Sequence, residues 1–138
     1  MKSTLEVLTE ARARITRPEN WTIKIRERSS ERGVAYCALG AVYLAHSGNV
    51  WDGHELPAIR ALAESCGEEF YAACLGETRY ATSSYAVAQY NNSHSHEEVL
   101  DWFDRTIGRE RECEREREAC KRLRADLDAS GTPYELVT

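Results

Sequence analysis

The sequence predicts a mainly α-helical protein: a compact helical domain with one small β-hairpin and a long charged C-terminal helix. Apolar residues recur at three- and four-residue spacing in several segments, which is the period of a helix. A short stretch that begins at Trp21 alternates apolar and polar side chains, and the chain after Gly108 is nearly all Arg and Glu. Because 138 residues suit one domain, we expect a helical domain over residues 1–108, a helical extension over 109–130 and a tail over 131–138.

The first helix and the hairpin are predicted from the N-terminal third of the chain. Ser3 and Glu6 have the spacing of a capping box, and Pro18 ends the helix that follows it near Thr16. The alternation from Trp21 to Arg26 predicts a half-buried strand. A polar turn over residues 29–33 and a second strand over Val34–Cys37 would complete the hairpin.

The following segments are predicted to be helices separated by short polar breaks. Their apolar residues keep the helical spacing, and Gly, Asn or Ser residues follow them. Ser83–Tyr90 is open between helix and strand, because its Tyr, Val and Thr content also suits a strand. We expect helices from Ala38 to Ser47, around Ile59 to Cys66, from Phe70 to Leu75 and from Ser95 onward, with a capping box at Ser95 and Glu98 and a break at Asn91–His94.

Composition and charge argue against several classes of function. The formal net charge of −5 argues against general nucleic-acid binding, which needs a positive field at the phosphates. No apolar run approaches the roughly 20 residues that span a bilayer, and the N-terminus does not resemble a signal peptide. We therefore expect a protein of the cytoplasm, the host cytoplasm if a phage encodes it, with no membrane partner. Five cysteines, an odd number without zinc-site spacing, predict reduced thiols and no metal, and no cofactor motif is present.

Four stretches of the chain together resemble a known family. They are Glu19-Asn20-Trp21, Tyr36-Cys37-Ala38-Leu39-Gly40-Ala41, Asn91-Asn92 and Glu98-Val99-Leu100-Asp101-Trp102-Phe103-Asp104-Arg105-Thr106-Ile107. In this order they resemble a family of small proteins of unknown function from actinobacteria and their phages, over about residues 4 to 108. Family members usually carry Asn-Asp in place of Asn91-Asn92, and Ala-Ile in place of Thr106-Ile107. The resemblance implies an accessory protein of an actinobacterium or a phage and transfers no activity.

Cys37 is the residue that separates two kinds of function. A thiol at a helix N-terminus can have a lowered pKa. With His94 or His96 as the base and Asn91 to orient it, Cys37 would serve a cysteine-dependent hydrolase or transferase. The simpler interpretation is a buried structural cysteine, with the later Asn and Ser side chains forming a turn and a helix cap. We favour the structural interpretation and expect no catalytic activity.

Two regions are predicted to contact a partner. The first is a loop with an aromatic side chain, for which packing over the core is the simpler alternative. The second is the charged helix, which is too polar to bury much of itself in its own domain. Apolar residues at nearly heptad spacing leave a narrow seam along that helix, so a homodimer is one expected form of contact and a solvated extension is the alternative. We expect a protein that acts by binding a host or phage protein through Trp51, His54, Arg109, Glu116, Cys120, Leu123 and Leu127.

Overall fold

The computed structural model describes residues 1–77 and 82–131, and within them the chain forms six α-helices and one antiparallel hairpin. The predicted fold class, mainly α with a small hairpin and a long C-terminal helix, is confirmed. Ser83–Tyr90 is helical, and of the predicted tail all but Gly131 lies outside the described residues. The elements are α1 Thr4–Arg14, a 3₁₀ turn Pro18–Asn20, β1 Glu27–Ser30, β2 Gly33–Tyr36, α2 Ala38–Ser47, α3 Pro57–Glu64, α4 Glu68–Glu77, α5 Ser83–Ser93 and α6 His96–Ser130.

Both predicted capping boxes begin their helices. The Ser3 hydroxyl accepts the Glu6 N–H at 3.1 Å, and the Glu6 carboxylate accepts the Ser3 N–H at 3.2 Å. Ser95 and Glu98 make the same pair of bonds at 3.2 and 3.0 Å. The backbone N–H groups favour the ionised carboxylates, so the pKa values of Glu6 and Glu98 lie below the ordinary range. These caps fix where α1 and α6 start.

The core lies among the helices α1, α2, α3, α5 and α6. α1 packs on α2 and α6, while α3 packs on α5 and α6. Trp102 and Phe103 of α6 are fully buried, as are Leu8 of α1 and Leu62 of α3. The Trp102 indole N–H donates to the Leu62 carbonyl at 2.9 Å, at the last turn of α3. This bond lets the largest core side chain be buried without an unpaired polar atom.

The first strand of the hairpin was predicted in the wrong place. Residues 21–26 are not a strand: Thr22 is buried, whereas Ile23 and Ile25 are 38% and 46% exposed, which reverses the predicted faces. Lys24 has φ of 67°, so the backbone leaves the extended region in the middle of the alternation. The hairpin instead pairs the polar β1 with β2, with Glu27 opposite Tyr36 and Ser30 opposite Gly33. Cys37, the predicted strand end, is the residue that caps α2.

The predicted break at Asn91–His94 was also wrong for its first three residues. Asn91, Asn92 and Ser93 form the last turn of α5, and only His94 and Ser95 separate α5 from α6. Asn side chains favour turns when they bond to nearby backbone groups. Here Asn91 and Asn92 bond to distant segments, so the helix continues through them.

The C-terminal part of α6 extends beyond the domain. Ile107 is its last buried residue, and from Gly108 to Ser130 every side chain is exposed except the half-buried Glu110, Glu114 and Leu127. Those 23 residues form about 35 Å of helix at the usual rise per residue. None of the helices in the described part of the chain is long and apolar enough to cross a membrane.

Candidate functional site

An open groove of about 340 Å³ lies beside the N-terminus of α2. We call it the Trp51 groove. It is formed by the segment after the 3₁₀ turn, the start of α2, the loop after α2 and the last turns of α5. Its lining residues are Lys24, Ile25, Arg26, Cys37, Leu39, Trp51, Ala88 and Asn92.

Asn91 holds one end of the segment that builds this groove. Its side chain is fully buried, and its Oδ1 accepts the indole N–H of Trp21 at 2.8 Å and the backbone N–H of Ala38 at 3.0 Å. Its Nδ2 donates to the Thr22 carbonyl at 3.1 Å. One amide thus joins α5 to the 3₁₀ turn and to the start of α2, which gives Asn91 a structural task that needs both its donor and its acceptor.

Asn92 holds the middle of the same segment. Its Oδ1 accepts the backbone N–H of Lys24 at 2.7 Å. Lys24 lies in the left-handed region, which costs free energy for a residue with a Cβ and persists where the surroundings fix it. The Asn92 bond is such a constraint, and it places the Lys24 side chain at the groove.

Arg26 lines the groove through a side chain that is held by several contacts. Its guanidinium donates to the Val50 and Asp52 carbonyls at 3.1 and 3.0 Å, and it lies over the Tyr43 and Trp51 rings at 5.1 and 5.8 Å. Both of these acceptors are neutral carbonyls, so these hydrogen bonds do not pair the guanidinium with a carboxylate. Arg26 therefore ties the loop after α2 to the groove while keeping its positive charge.

Cys37 is the N-cap of α2, and its Sγ accepts the Gly40 N–H at 3.4 Å. Only 6% of the residue is exposed. Burial raises the pKa of the thiol, and the backbone N–H groups of the helix start oppose this only in part. The pKa shift therefore runs opposite to the one an activated thiolate needs.

The two candidate bases make their bonds to other parts of the structure. His94 stacks on Tyr90 with ring centroids 3.6 Å apart, and its Nδ1 lies 2.9 Å from the Tyr90 carbonyl. The Nε2 of His96 lies 2.6 Å from the Ile15 carbonyl, beside the Trp21 ring. A carbonyl only accepts, so each contact is a hydrogen bond in the tautomer that places the proton on that nitrogen. Neither histidine lines the Trp51 groove, whereas Asn91 is joined to Ala38, the residue next to Cys37.

The loop residues predicted to contact a partner lie at the surface. Trp51 is 61% exposed, and the His54 side chain is also exposed. The His54 ring and backbone N–H both bond to the Asp52 carboxylate, and the backbone bond is the larger cause that lowers the Asp52 pKa to about 2. Trp51 therefore exposes most of its surface to solvent, whereas His54 shapes the loop.

Of the contact residues predicted on the C-terminal helix, one bonds to the domain and the others are exposed or half-buried. Arg109 donates to the Ser65 hydroxyl at 3.0 Å and so bonds to its own domain. Glu116 and Cys120 are exposed, Leu123 is 62% exposed and Leu127 is half-buried. Leu123 is therefore the exposed large apolar side chain in the far part of α6.

Sequence reasoning missed Lys24, Ile25, Arg26 and Asn92 as groove residues. Lys24 and Arg26 were assigned to the polar face of a strand, and Asn92 to a turn. The only local signal was two basic side chains flanking an isoleucine, which also fits an ordinary strand. No local pattern shows that Asn92 reaches the Lys24 backbone 68 positions away.

Residues 1–109 match the family model of DUF6197, a family of unknown function. No curated protein and no solved structure matches the chain. The matched region ends where α6 leaves the domain, and it includes the whole Trp51 groove. The chain therefore belongs to DUF6197, a family of unknown function.

Proposed function

We propose that this protein acts by binding another protein through the exposed part of α6, residues 109–130, and has no catalytic activity of its own. The observation that carries the proposal is Leu123, which is 62% exposed on a helix that has left its domain. Large apolar side chains in such a position are typical of contact surfaces when other apolar residues share their face of the helix.

The energetics of the extension support this function. Residues 109–130 contain seven basic and seven acidic residues. Pairs such as Arg115–Glu112 and Lys121–Glu118 join their side chains at 3.0 and 3.6 Å. Each such pair stabilises a helix by only about 0.2–0.5 kcal/mol. Because most helical stability in proteins comes from packing an apolar face, a partner on this face would stabilise the extension considerably.

The apolar stripe has the spacing of a helix-pairing surface. Cys113, Cys120 and Leu127 recur every seven residues, and Leu123 lies between the last two. Glu116 takes the corresponding position one heptad before Leu123, where a charge weakens an apolar seam and restricts the partners that fit it. A second copy of this chain is the partner that we propose first, since it presents the same seam.

Sedimentation of the full chain and of a chain that ends at Gly108 tests the homodimer. We expect a dimer for the full chain and a monomer for the shortened one, because the seam is removed. Leu123→Glu, which adds a charge to the seam, should also give monomers, whereas Ala125→Glu is the matched change outside the seam. A full chain that is monomeric at high concentration, or a dimer that survives truncation, excludes this contact.

A partner of a different sequence is tested by cross-linking. A photoreactive amino acid at position 123 would capture a protein that lies on the seam, and the same group at position 118, outside the seam, is the control. A single adduct that forms from position 123 and not from 118 supports the proposal. Equal adducts from both positions would show that the seam does not select its partner.

The biological setting is part of the proposal. The resemblance of residues 4–108 to small actinobacterial and phage proteins supports an accessory role, with a host or phage protein as the partner. The absence of net charge along residues 109–130 favours protein over nucleic acid, since phosphate binding needs an excess of basic residues. We therefore propose an accessory protein that acts in the cytoplasm.

A further inference from the structure

We propose that the Trp51 groove binds a segment of a partner protein that presents a carboxylate beside an apolar side chain. This inference rests on the proposed protein-binding function and gives it a second contact surface, separate from α6. The groove offers basic groups, hydrogen-bond donors and exposed apolar side chains within one space of about 340 Å³. Each of these three features is needed for such a segment.

The charge of the groove is opposite to that of the domain around it. Residues 1–108 contain eleven basic and fifteen acidic residues, so the domain is acidic. The residues that line the groove include Lys24 and Arg26 and no acidic residue. In the described part of the chain neither basic side chain forms a salt bridge to a carboxylate. A local positive site on an acidic surface attracts a carboxylate and repels other cations.

Hydrogen-bond donors lie beside these charges. The Oδ1 of Asn92 is occupied by the Lys24 N–H, which fixes the orientation of the amide and leaves its NH₂ group as the free end. Within residues 1–77 and 82–131, no acceptor is bonded to that NH₂ or to the Lys24 ammonium. A carboxylate bound here would accept from both, and charge-assisted bonds of this kind are among the stronger ones in proteins.

The apolar residues of the groove would contact the apolar side chain of the bound segment. Ile25 and Trp51 are 46% and 61% exposed, and Ile23 beside them is 38% exposed. They are three of the five large apolar residues that the described chain exposes, and Ile25 and Trp51 line the groove with Leu39 and Ala88. Such a concentration of exposed apolar surface next to polar groups is typical of a protein contact. A purely ionic ligand would leave it uncovered.

A titration with short peptides tests this inference on the full-length protein. The probe is acetyl-Leu-Glu-Leu-amide, and acetyl-Leu-Gln-Leu-amide is the neutral control of the same shape. The reporter is the indole N–H signal of Trp51 in the ¹⁵N–¹H spectrum, assigned by its loss in Trp51→Phe. We expect the Glu peptide to shift this signal in a saturable, salt-sensitive way, and the Gln peptide to bind about tenfold or more weakly.

Two substitutions in the groove test the roles of the polar groups. Lys24→Gln removes the charge, and Lys121→Gln makes the same change on α6 as the matched control. Asn92→Asp keeps the acceptor for the Lys24 N–H but replaces the free NH₂ by a negative oxygen. Both groove variants should weaken the Glu peptide about tenfold or more, with unchanged far-ultraviolet circular dichroism, and Lys121→Gln should bind normally.

Several outcomes would overturn the inference. Equal binding of the Glu and Gln peptides would show that no carboxylate site exists, and so would an unshifted Trp51 signal. Acetyl-leucine is a small free acid. If it binds and the peptide does not, the groove binds a small-molecule acid and not a segment of a partner protein. The titration reports on the groove, and sedimentation reports on α6. A full chain that is monomeric in sedimentation but binds the Glu peptide would contradict the α6 proposal and support this one.

Discussion

Asn91 joins three parts of the chain through a single side chain. Its amide bonds to Trp21, Thr22 and Ala38, which lie 70, 69 and 53 positions away, and the whole residue is buried. A buried polar group that has no hydrogen-bond partner destabilises the fold. Asn91, with its two accepted bonds and one donated bond, therefore fixes the segment that forms the Trp51 groove, and Asn92 adds a single bond to the same segment.

We predict that Asn91→Ala is far more destabilising than Asn92→Ala. The first change leaves the half-buried Trp21 indole N–H and the buried Ala38 N–H unpaired and should lower the free energy of unfolding by about 3 kcal/mol. The second removes one bond at a half-buried position and should cost about 1 kcal/mol. Urea unfolding followed by circular dichroism measures both. Similar losses for the two variants would contradict the structural role of Asn91.

Thiol labelling distinguishes a structural Cys37 from a nucleophile. Because burial raises the pKa of this thiol, we predict that iodoacetamide at pH 8 modifies the exposed Cys113 and Cys120 first. Cys37 should react only when urea unfolds the chain, and mass spectrometry of peptides identifies each site. Rapid labelling of Cys37 in the native protein below pH 8 would instead support the cysteine-dependent hydrolase or transferase.

The helices α2 and α6 use glycine in opposite ways. At Gly40 the backbone of Arg26 crosses the first turn of α2, and an added Cβ would overlap the Arg26 carbonyl oxygen and lie 2.9 Å from its carbon. At Gly108 in α6 an added Cβ would meet no atom within 4 Å. The first glycine is therefore required by a tertiary contact, and the second only loosens the helix where it leaves the domain.

We predict that the same substitution has opposite effects at these two positions. Gly40→Ala should lower the free energy of unfolding by about 3 kcal/mol, because Arg26 and the groove segment must move away from α2. Gly108→Ala should raise it by about 0.5–1 kcal/mol, as alanine has the higher helix propensity. Thermal unfolding of each variant gives the sign directly. Tolerance of alanine at position 40 would show that the groove segment is not held against α2.

Folding keeps the buried thiol of Cys66 protonated to a higher pH than in the unfolded chain. Burial, and secondarily the neighbouring Cys74, raises the pKa of Cys66 from the ordinary 9.0 to about 12. Between these values the unfolded chain has lost the thiol proton while the folded chain retains it. The unfolded state then binds fewer protons, so stability falls as pH rises through this window.

We predict that the contribution of the Cys66 thiol to the free energy of unfolding is largest below pH 9 and declines as the pH rises toward 12. Urea unfolding at pH 8, 9, 10 and 10.5 measures the decline. Cys66→Ala should make it shallower, because one of the buried thiols no longer titrates. An identical pH dependence in Cys66→Ala would show that other groups cause the whole effect.

The sequence alone determined the helical class, the two capping boxes and the end of α2 at Ser47. These features depend on residues within four positions of each other, and local spacing reports such contacts directly. It also indicated that residues 109–130 form a helix too polar for a core. The family signature was visible as well, although the reason for its pattern was not.

Tertiary structure decided where the first strand lies, what Asn91 and Asn92 bond to and that a basic groove exists on an acidic domain. The alternation from Trp21 to Arg26 is a valid strand pattern, but the bond from Lys24 to Asn92 bends the backbone out of it. Likewise, Gly40 is small because Arg26 crosses it. These contacts join residues 14 to 70 positions apart, and such pairings leave no trace in the local order of side chains because they form only when the helices pack.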